Sequence, residues 1–316
     1  PHLVLDGAVA ACDAIASGSN AVPEIVIWLH EGDEQTRASL ERAIHERAGL
    51  PTEPSMRILI APRRYVSGES TAVIRAVQTH RATGHATALP RFTLDPARPW
   101  RQADGQPVLV HNCETLARIG LIAHGGADAY PRSSVVTVTS PSGLHVLEVS
   151  PETTFEALLQ AVQVPMPSAV LLGGYGGQWV SWSRLAPLHV DPDALRSADL
   201  SLGAGIVIPL LPGECGLART ADIAEWMAGQ SAKACGPCTF GLPELARLLR
   251  RISGRARDKD VDELRGICGL IPGRGACRHP DGTVRMVSSA LEVFAADIEA
   301  HHARQCTTAP TGRTRR

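Results

Sequence analysis

The sequence predicts an α/β fold in successive parts: a parallel-sheet α/β region, a small β-grasp-like module and a terminal four-helix bundle. Three observations predict it. Helical and extended patterns alternate over the first ~90 residues. A hairpin signal opens a different pattern near residue 133, and beyond residue 220 the apolar period becomes helical throughout. The 316 residues exceed the usual single-domain length, and the expected boundaries are 1–130, 131–205 and 206–305, with a disordered basic tail over 306–316.

Leu3, Val4, Ala8, Ala11 and Ile15 form an apolar stripe that predicts a first helix, followed by a buried strand over Glu24–Leu29. A helix over Glu34–Arg47 and a strand over Met56–Ile60 repeat the alternation, which favours a parallel sheet covered by helices. Residues 84–110 are proline-rich and irregular, and a short helix follows over Glu114–Ala123. Val135–Thr139 and Leu144–Val149 flank the turn Ser140-Pro141-Ser142-Gly143 and read as a hairpin. Thr153-Thr154-Phe155-Glu156 opens a capped helix, and Ala169–Leu172 reads as a strand running into Gly173-Gly174-Tyr175-Gly176-Gly177. With no clear helix behind it, this glycine run reads as a surface turn rather than a phosphate loop.

The helical part carries four stripes. Thr220-Ala221-Asp222 is placed to cap a helix through Ile223, Trp226 and Met227; Leu242, Leu245, Leu248, Leu249 and Ile252 form the second stripe. Val261, Leu264 and Ile267 form the third, and Val284, Val287, Leu291, Phe294 and Ile298 the fourth.

Composition narrows the function. The 31 Lys+Arg nearly cancel the 32 Asp+Glu, so the chain is not a globally basic nucleic-acid binder, and 4% aromatic content leaves few stacking surfaces for single strands. No apolar run approaches the ~18 residues of a membrane span. The start at Pro1 has neither a basic n-region nor a cleavage site, which reads as a mature or truncated chain of cytoplasmic type.

Eight cysteines are too dilute for a disulfide scaffold, yet Cys235, Cys238, Cys268 and Cys277 lie close in sequence. Cys235-Gly236-Pro237-Cys238 precedes one helix and Cys277 precedes another, so loops at one end of a bundle can gather these thiolates. Such a set suits an iron–sulfur cluster or tetrahedral zinc. Cys-Gly-Pro-Cys is also a redox dithiol sequence, but that chemistry belongs at a strand-to-helix junction, and here helix flanks both sides. Arg247, Arg250, Arg251, Arg255 and Arg257 read as a solvated basic face, His301-His302 as a solvated pair, and Cys12 and Cys113 as small buried hydrophobes.

Ser231-Ala232-Lys233-Ala234-Cys235-Gly236-Pro237-Cys238, with Cys277 followed by Ser289-Ala290-Leu291, resembles the iron–sulfur region of the NADH-binding flavoprotein subunit of respiratory complex I and its relatives in formate dehydrogenases and hydrogenases. Tyr65-Val66-Ser67-Gly68-Glu69-Ser70-Thr71-Ala72 resembles that family's Tyr-Ile-Cys-Gly-Glu-Glu-Thr-Ala, and Gly105 to Leu116 its Gly-x-Pro-Thr-Val-Val-Asn-Asn-Val-Glu-Thr-Leu. The resemblance implies a flavoprotein-core-like first domain, a soluble-ligand-binding β-grasp and a helical iron–sulfur domain. It implies a [4Fe–4S] cluster on Cys235, Cys238 and Cys277, with Cys268 or His279 offered for the fourth position. Gly68, Glu69, Asn112 and Thr115 would be remnants of an FMN pocket, with NAD as the associated nucleotide. The implied partners are other redox subunits or an electron-carrier protein.

The departures are specific. Ala232 stands where the family has its first cluster cysteine, Ser70 replaces a glutamate and His111 an asparagine. The glycine-rich loop and the Asp-Glu-x-Glu-Pro-Gly segment that hold FMN and nicotinamide in the family do not occur in this chain. The expectation is an iron–sulfur electron-transfer subunit of an NADH dehydrogenase-like oxidoreductase. The alternative is a non-catalytic, zinc-stapled binding module on a degenerate flavoprotein scaffold; a fragment of a longer NADH oxidoreductase is compatible with the first.

Overall fold

A computed structural model describes residues 1–16, 23–50, 53–83, 108–130, 132–306 and 308, in two compact units, Pro1–Pro131 and Arg132–Arg316. The irregular stretch expected from residue 84 lies outside the described residues as far as 107, as does nearly all of the expected tail.

In the first unit, α1 (His2–Ala16), β1 (Glu24–His30), α2 (Glu34–Arg47), β2 (Ser55–Ala61), α3 (Ser70–Thr83) and α4 (Cys113–Gly125) follow in order. The strands β1 and β2 pair in parallel, Glu24 against Ser55 through His30 against Ala61, as the alternation predicts. Leu5 from α1 and Leu40 and Ala43 from α2 pack with Ile27, Leu29, Met56 and Ile58 of the two strands. Polar groups reinforce this contact: Arg47 donates to Asp6 at 2.6 Å and also pairs with Glu53. Helices α1 and α4 meet backbone to backbone. A methyl group on Gly7 would lie 1.7 Å from the carbonyl oxygen of Leu116, and one on Gly120 2.3 Å from that of Leu3.

The second unit carries β3 (Ser134–Ser140), β4 (Gly143–Val149), α5 (Phe155–Ala161), β5 (Ala169–Leu172), β6 (Gln178–Ser181), α6 (Trp182–Leu185), α7 (Pro192–Ser197) and β7 (Ile206–Pro209). Five strands form one mixed sheet in the order β4-β3-β7-β5-β6. The expected hairpin is present, with Ser140 opposite Gly143, and Thr154 caps α5 by accepting from the Ala157 amide at 3.2 Å. Strand β7 lies parallel to β3 and antiparallel to β5, so the sheet extends to Pro209 and does not end at residue 205.

Period-two alternation buries this sheet on two sides. Val136, Val138, Val170, Leu172 and Val207 pack with Phe155, Leu158 and Leu159 of α5. Their neighbours Ala169, Leu171, Trp179 and Ile208 enter a second core with Leu217, Met227, Leu242, Leu245, Leu264, Val287 and Phe294. That core belongs to α8 (Gly216–Gly229), α9 (Leu242–Gly254), α10 (Asp258–Leu270), α11 (His279–Val293) and α12 (Ala295–His302).

Two local readings are corrected. Helix α8 begins at Gly216 rather than at a Thr220 cap; the Thr220 hydroxyl donates instead to the Gly216 carbonyl at 2.7 Å inside the helix. The fourth stripe is divided between α11 and α12 at Phe294, whose ring stacks edge-on against Trp179 at 5.2 Å. Gly216 accommodates that ring, since a methyl group there would sit 2.3 Å from it. The glycine run between β5 and β6 is a turn, but it packs inward: a methyl on Gly282 of α11 would come within 3.1 Å of Gly176.

The α1–α4 crossing yields a test. Gly7→Ala is expected to cost about 3 kcal/mol or more, because a backbone carbonyl cannot yield as a side chain can. Gly254→Ala, whose added methyl meets nothing within 4 Å, is expected to leave stability unchanged or slightly raised. Urea unfolding of the full chain distinguishes the two; equal midpoints would refute the close crossing.

Candidate metal centre

The Cys-Gly-Pro-Cys sequence begins in the link after α8 and enters a wide π-helical turn, Pro237–Gly241, which continues directly into α9. Pro237 at the start of this turn needs no intrahelical N–H partner. Lys233 holds φ at 52°, a left-handed conformation that costs a non-glycine residue about 1 kcal/mol and reverses the chain before Cys235. Thr239 closes the turn, with its amide and its hydroxyl each donating to the Cys235 carbonyl at 3.0 Å.

Cys277 sits in the loop between α10 and α11. Asp281 organises this loop by accepting from the Gly273 amide at 3.0 Å and pairing with Arg278 at 3.0 Å. Gly241 closes against the loop's first residue, because a methyl group there would lie 2.8 Å from the Ile271 side chain. The end of the π-helical turn therefore lies against the start of the loop that carries Cys277.

Electrostatics shows the result. Burial pushes the Cys238 thiol up to about 12, aided by its hydrogen-bonded neighbour Cys235, by the charge of Cys235 and then by that of Cys277. Cys238 is only 3% exposed, while Cys235 and Cys277 are half-buried. Cys235 and Cys277 therefore both act on Cys238 and oppose its ionisation. A cationic centre reverses that balance by displacing the protons and binding the thiolates. The donor set thus fits a metal centre held by three cysteines.

The expectation of Cys268 as a fourth thiolate meets a different geometry. Its thiol is buried, which raises its pKa, and its hydrogen-bond partner is the Ser288 side chain. Ser288 lies nine residues into α11, about 14 Å along the axis from the end that follows Cys277, at 1.5 Å per residue. Cys268 is thereby tied to a turn well inside α11 rather than to its start. His279 is buried, its Nε2–H donates to the Met227 carbonyl at 3.0 Å, and burial lowers its pKa, which keeps the ring neutral.

The residues expected to form an FMN pocket have local work. Glu69 accepts from the Ala72 amide at 3.1 Å and from the Thr71 hydroxyl, so its carboxylate caps α3. Asn112 caps α4 by accepting from the Thr115 amide at 2.8 Å. Gly68 borders open space. The contacts of Glu69 and Asn112 are thus with their own helix starts, and Thr115 supplies the amide that Asn112 caps.

Other expectations sort similarly. Cys12 is buried as expected, whereas Cys113, at the exposed first position of α4, is not. Three of the arginines are ion-paired: Arg247 with Glu244, Arg250 with Asp222 and Glu225, and Arg251 with Asp260, a carboxylate that is only 1% exposed. His301 is buried rather than solvated and meets Cys215. Cys215, His301 and Cys306 are the one group among the described residues whose three metal-ligating atoms fall within 4.8 Å of one another. The sequence signal for it is weak, because Cys215 lies far from the neighbouring His301 and Cys306 in the chain and the three follow no motif spacing.

Residues 218–301 match the family model described as the NADH-ubiquinone oxidoreductase-F iron-sulfur binding region. The chain is similar to the F subunit of NADH-quinone oxidoreductase from Buchnera aphidicola subsp. Schizaphis graminum, with 28% identity over 75% of this chain and 55% of the relative. Against the corresponding F subunit of Escherichia coli K12, identity is 24% over 95% of this chain and 70% of the relative. The HndC subunit of the NADP-reducing hydrogenase of Solidesulfovibrio fructosivorans is 25% identical over 75% of this chain and 50% of its own length. The chain thus spans between 50% and 70% of the length of these relatives. In fold it resembles a chain of an NAD+-reducing [NiFe]-hydrogenase in its H2-reduced state, with a TM-score of 0.75 and 20% identity over 96% of this chain and 52% of that one. The resemblance expected from the cysteine and upstream motifs is the one these relatives carry.

The cap assignments are testable. Asn112→Ala is expected to cost about 1 kcal/mol, while Asn112→Ser retains most of it, because the serine oxygen replaces the lost acceptor. Urea denaturation checks this, and an Ala variant as stable as the parent would refute the capping role.

Proposed function

We propose that this chain is the iron–sulfur electron-transfer component of an NADH dehydrogenase-like assembly, with Cys235, Cys238 and Cys277 holding a [4Fe–4S] cluster. The single observation that carries the reading is the convergence of Cys235 and Cys277 on a buried Cys238, inside the stretch that matches an iron–sulfur binding region. When bound, such a cluster accepts and releases one electron at a time.

The protein's part is positional. The link after α8 presents Cys235, the π-helical turn Cys238 and the α10–α11 loop Cys277, while the apolar core beneath excludes water from Cys238. The fourth iron would take a ligand other than Cys268. Phe240, 76% exposed and two residues past Cys238, gives a partner redox subunit or carrier protein an apolar contact point next to the electron's exit. The five-stranded sheet is read as β-grasp-like, holding the helical domain against it. Free thiols at all eight cysteines suit a reducing, cytoplasm-type compartment.

The match of residues 218–301 to an iron–sulfur binding region favours a cluster over the zinc alternative.

Anaerobic purification with iron and acid-labile sulfide analysis, followed by electron paramagnetic resonance after reduction, tests the proposal. Cys238→Ser is expected to lose most of the iron and the signal, while Cys268→Ser keeps about the parent content. An iron-free parent that gains no signal after reconstitution would overturn the reading.

A further inference from the structure

We infer that Cys215, His301 and Cys306 form a second metal site, distinct from the cysteine trio, that binds a zinc ion through two thiolates and one imidazole and leaves its fourth position to solvent water. The inference stands independently of the iron–sulfur reading.

The three residues arrive from separate elements. Cys215 precedes α8, His301 lies in the last turn of α12, and Cys306 follows that helix. Their ligating atoms lie within 4.8 Å of one another, and Cys215 Sγ stands 3.7 Å from His301 Nε2. For tetrahedral zinc with bonds of ~2.3 Å to sulfur and ~2.0 Å to nitrogen, the sulfur-to-nitrogen edge is about 3.6 Å. The pair already stands at ligand spacing.

The imidazole is oriented for this task. Its Nδ1–H donates to the Ile252 carbonyl at 3.3 Å, so in the neutral ring the lone pair is on Nε2, facing Cys215. A backbone acceptor on the far nitrogen is the arrangement that fixes a metal-bound histidine. His301 is 5% exposed, which holds the ring in place.

Chain geometry supplies the third ligand. Helix α12 ends in a paired-bond reversal: the Gln305 amide donates to the Ala300 carbonyl at 2.9 Å and the Arg304 amide to that of His301 at 3.2 Å. Glycine usually occupies the left-handed position of such a reversal, yet here it is Arg304 at φ 59°. The turn folds Cys306 back over the helix end onto Cys215 and His301. Cys215 is half-buried and Cys306 exposed, so one side of the site opens to solvent.

Two soft thiolates and one imidazole in a tetrahedral-sized gap select zinc over calcium or magnesium, which prefer oxygen. Zn2+ enters as both thiol protons leave to solvent, and no electrons move. The ion would staple the segment after α12 to the start of α8.

The full chain, purified anaerobically, is assayed for zinc and iron in parent, Cys306→Ser and Cys238→Ser forms, and its zinc affinity is measured by chelator competition. Cys306 is exposed, so its replacement does not disturb the core. About one zinc per chain is expected in the parent, with affinity falling roughly 100-fold or more in Cys306→Ser and iron unchanged. Cys238→Ser should lose iron and keep zinc, so failure of either centre is read separately. Cobalt added in place of zinc should give thiolate-to-metal charge-transfer absorption that weakens in Cys306→Ser and in Cys215→Ser. Zinc affinity unchanged by Cys306→Ser, or a Cys215–Cys306 disulfide in the anaerobic protein with no zinc bound, would overturn the inference.

Discussion

The close approach of Gly241 to Ile271 is the constraint that brings the π-helical turn against the loop carrying Cys277. Cys235 and Cys238 are tied to each other by sequence, but Cys277 belongs to a loop reached only after two further helices. Its approach requires the end of the π-helical turn and the start of that loop to touch, and the missing side chain at position 241 lets them do so. A β-carbon there would push against a buried isoleucine. The apolar floor under the site then desolvates Cys238 and holds its proton, so a metal bound there must displace that proton.

That floor is shared with the sheet. Trp179 of β6 packs edge-on against Phe294, while its amide donates to the Ser289 hydroxyl at 2.8 Å, and Ser289 donates onward to the Met286 carbonyl at 2.9 Å. An unpaired buried amide costs about 1–3 kcal/mol, so Ser289 fixes how α11 lies on the sheet. Helix α11 starts just past Cys277, and the loop inherits the position of the helix. Sheet and helices thus form one folding unit, although sequence periodicity separates them cleanly.

Most of the elements were legible because their burial is one-sided. The parallel pair β1 and β2, the hairpin, and the stripes of α9 to α11 all show the period of their exposed and buried faces. Misreadings occurred where tertiary contact overrides local signal. Thr220 carries the chemistry of a cap yet sits inside α8, and the stripe across Phe294 continues in sequence while the helix breaks. The Cys-x-x-Cys pair was legible through its short spacing. The standing of Cys268 was not, because proximity in sequence says nothing about which turn of α11 its thiol faces. Glu69 and Asn112 show the converse: motif letters persist while the side chains are spent on helix caps.

The two sulfur groupings in the helical domain differ in a way that composition alone cannot express. Around Cys238 the donors are thiols alone: Cys235 is hydrogen-bonded to it, the charge of Cys277 reaches it, and Cys238 itself is sealed into the apolar core. Around His301 the ligand atoms crowd to the separation a single ion imposes, and the imidazole is oriented in the tautomer that offers Nε2. Ligand chemistry and access therefore separate the two groupings: one is an all-thiol set with a buried member, the other pairs an imidazole with two thiols of which one opens to solvent.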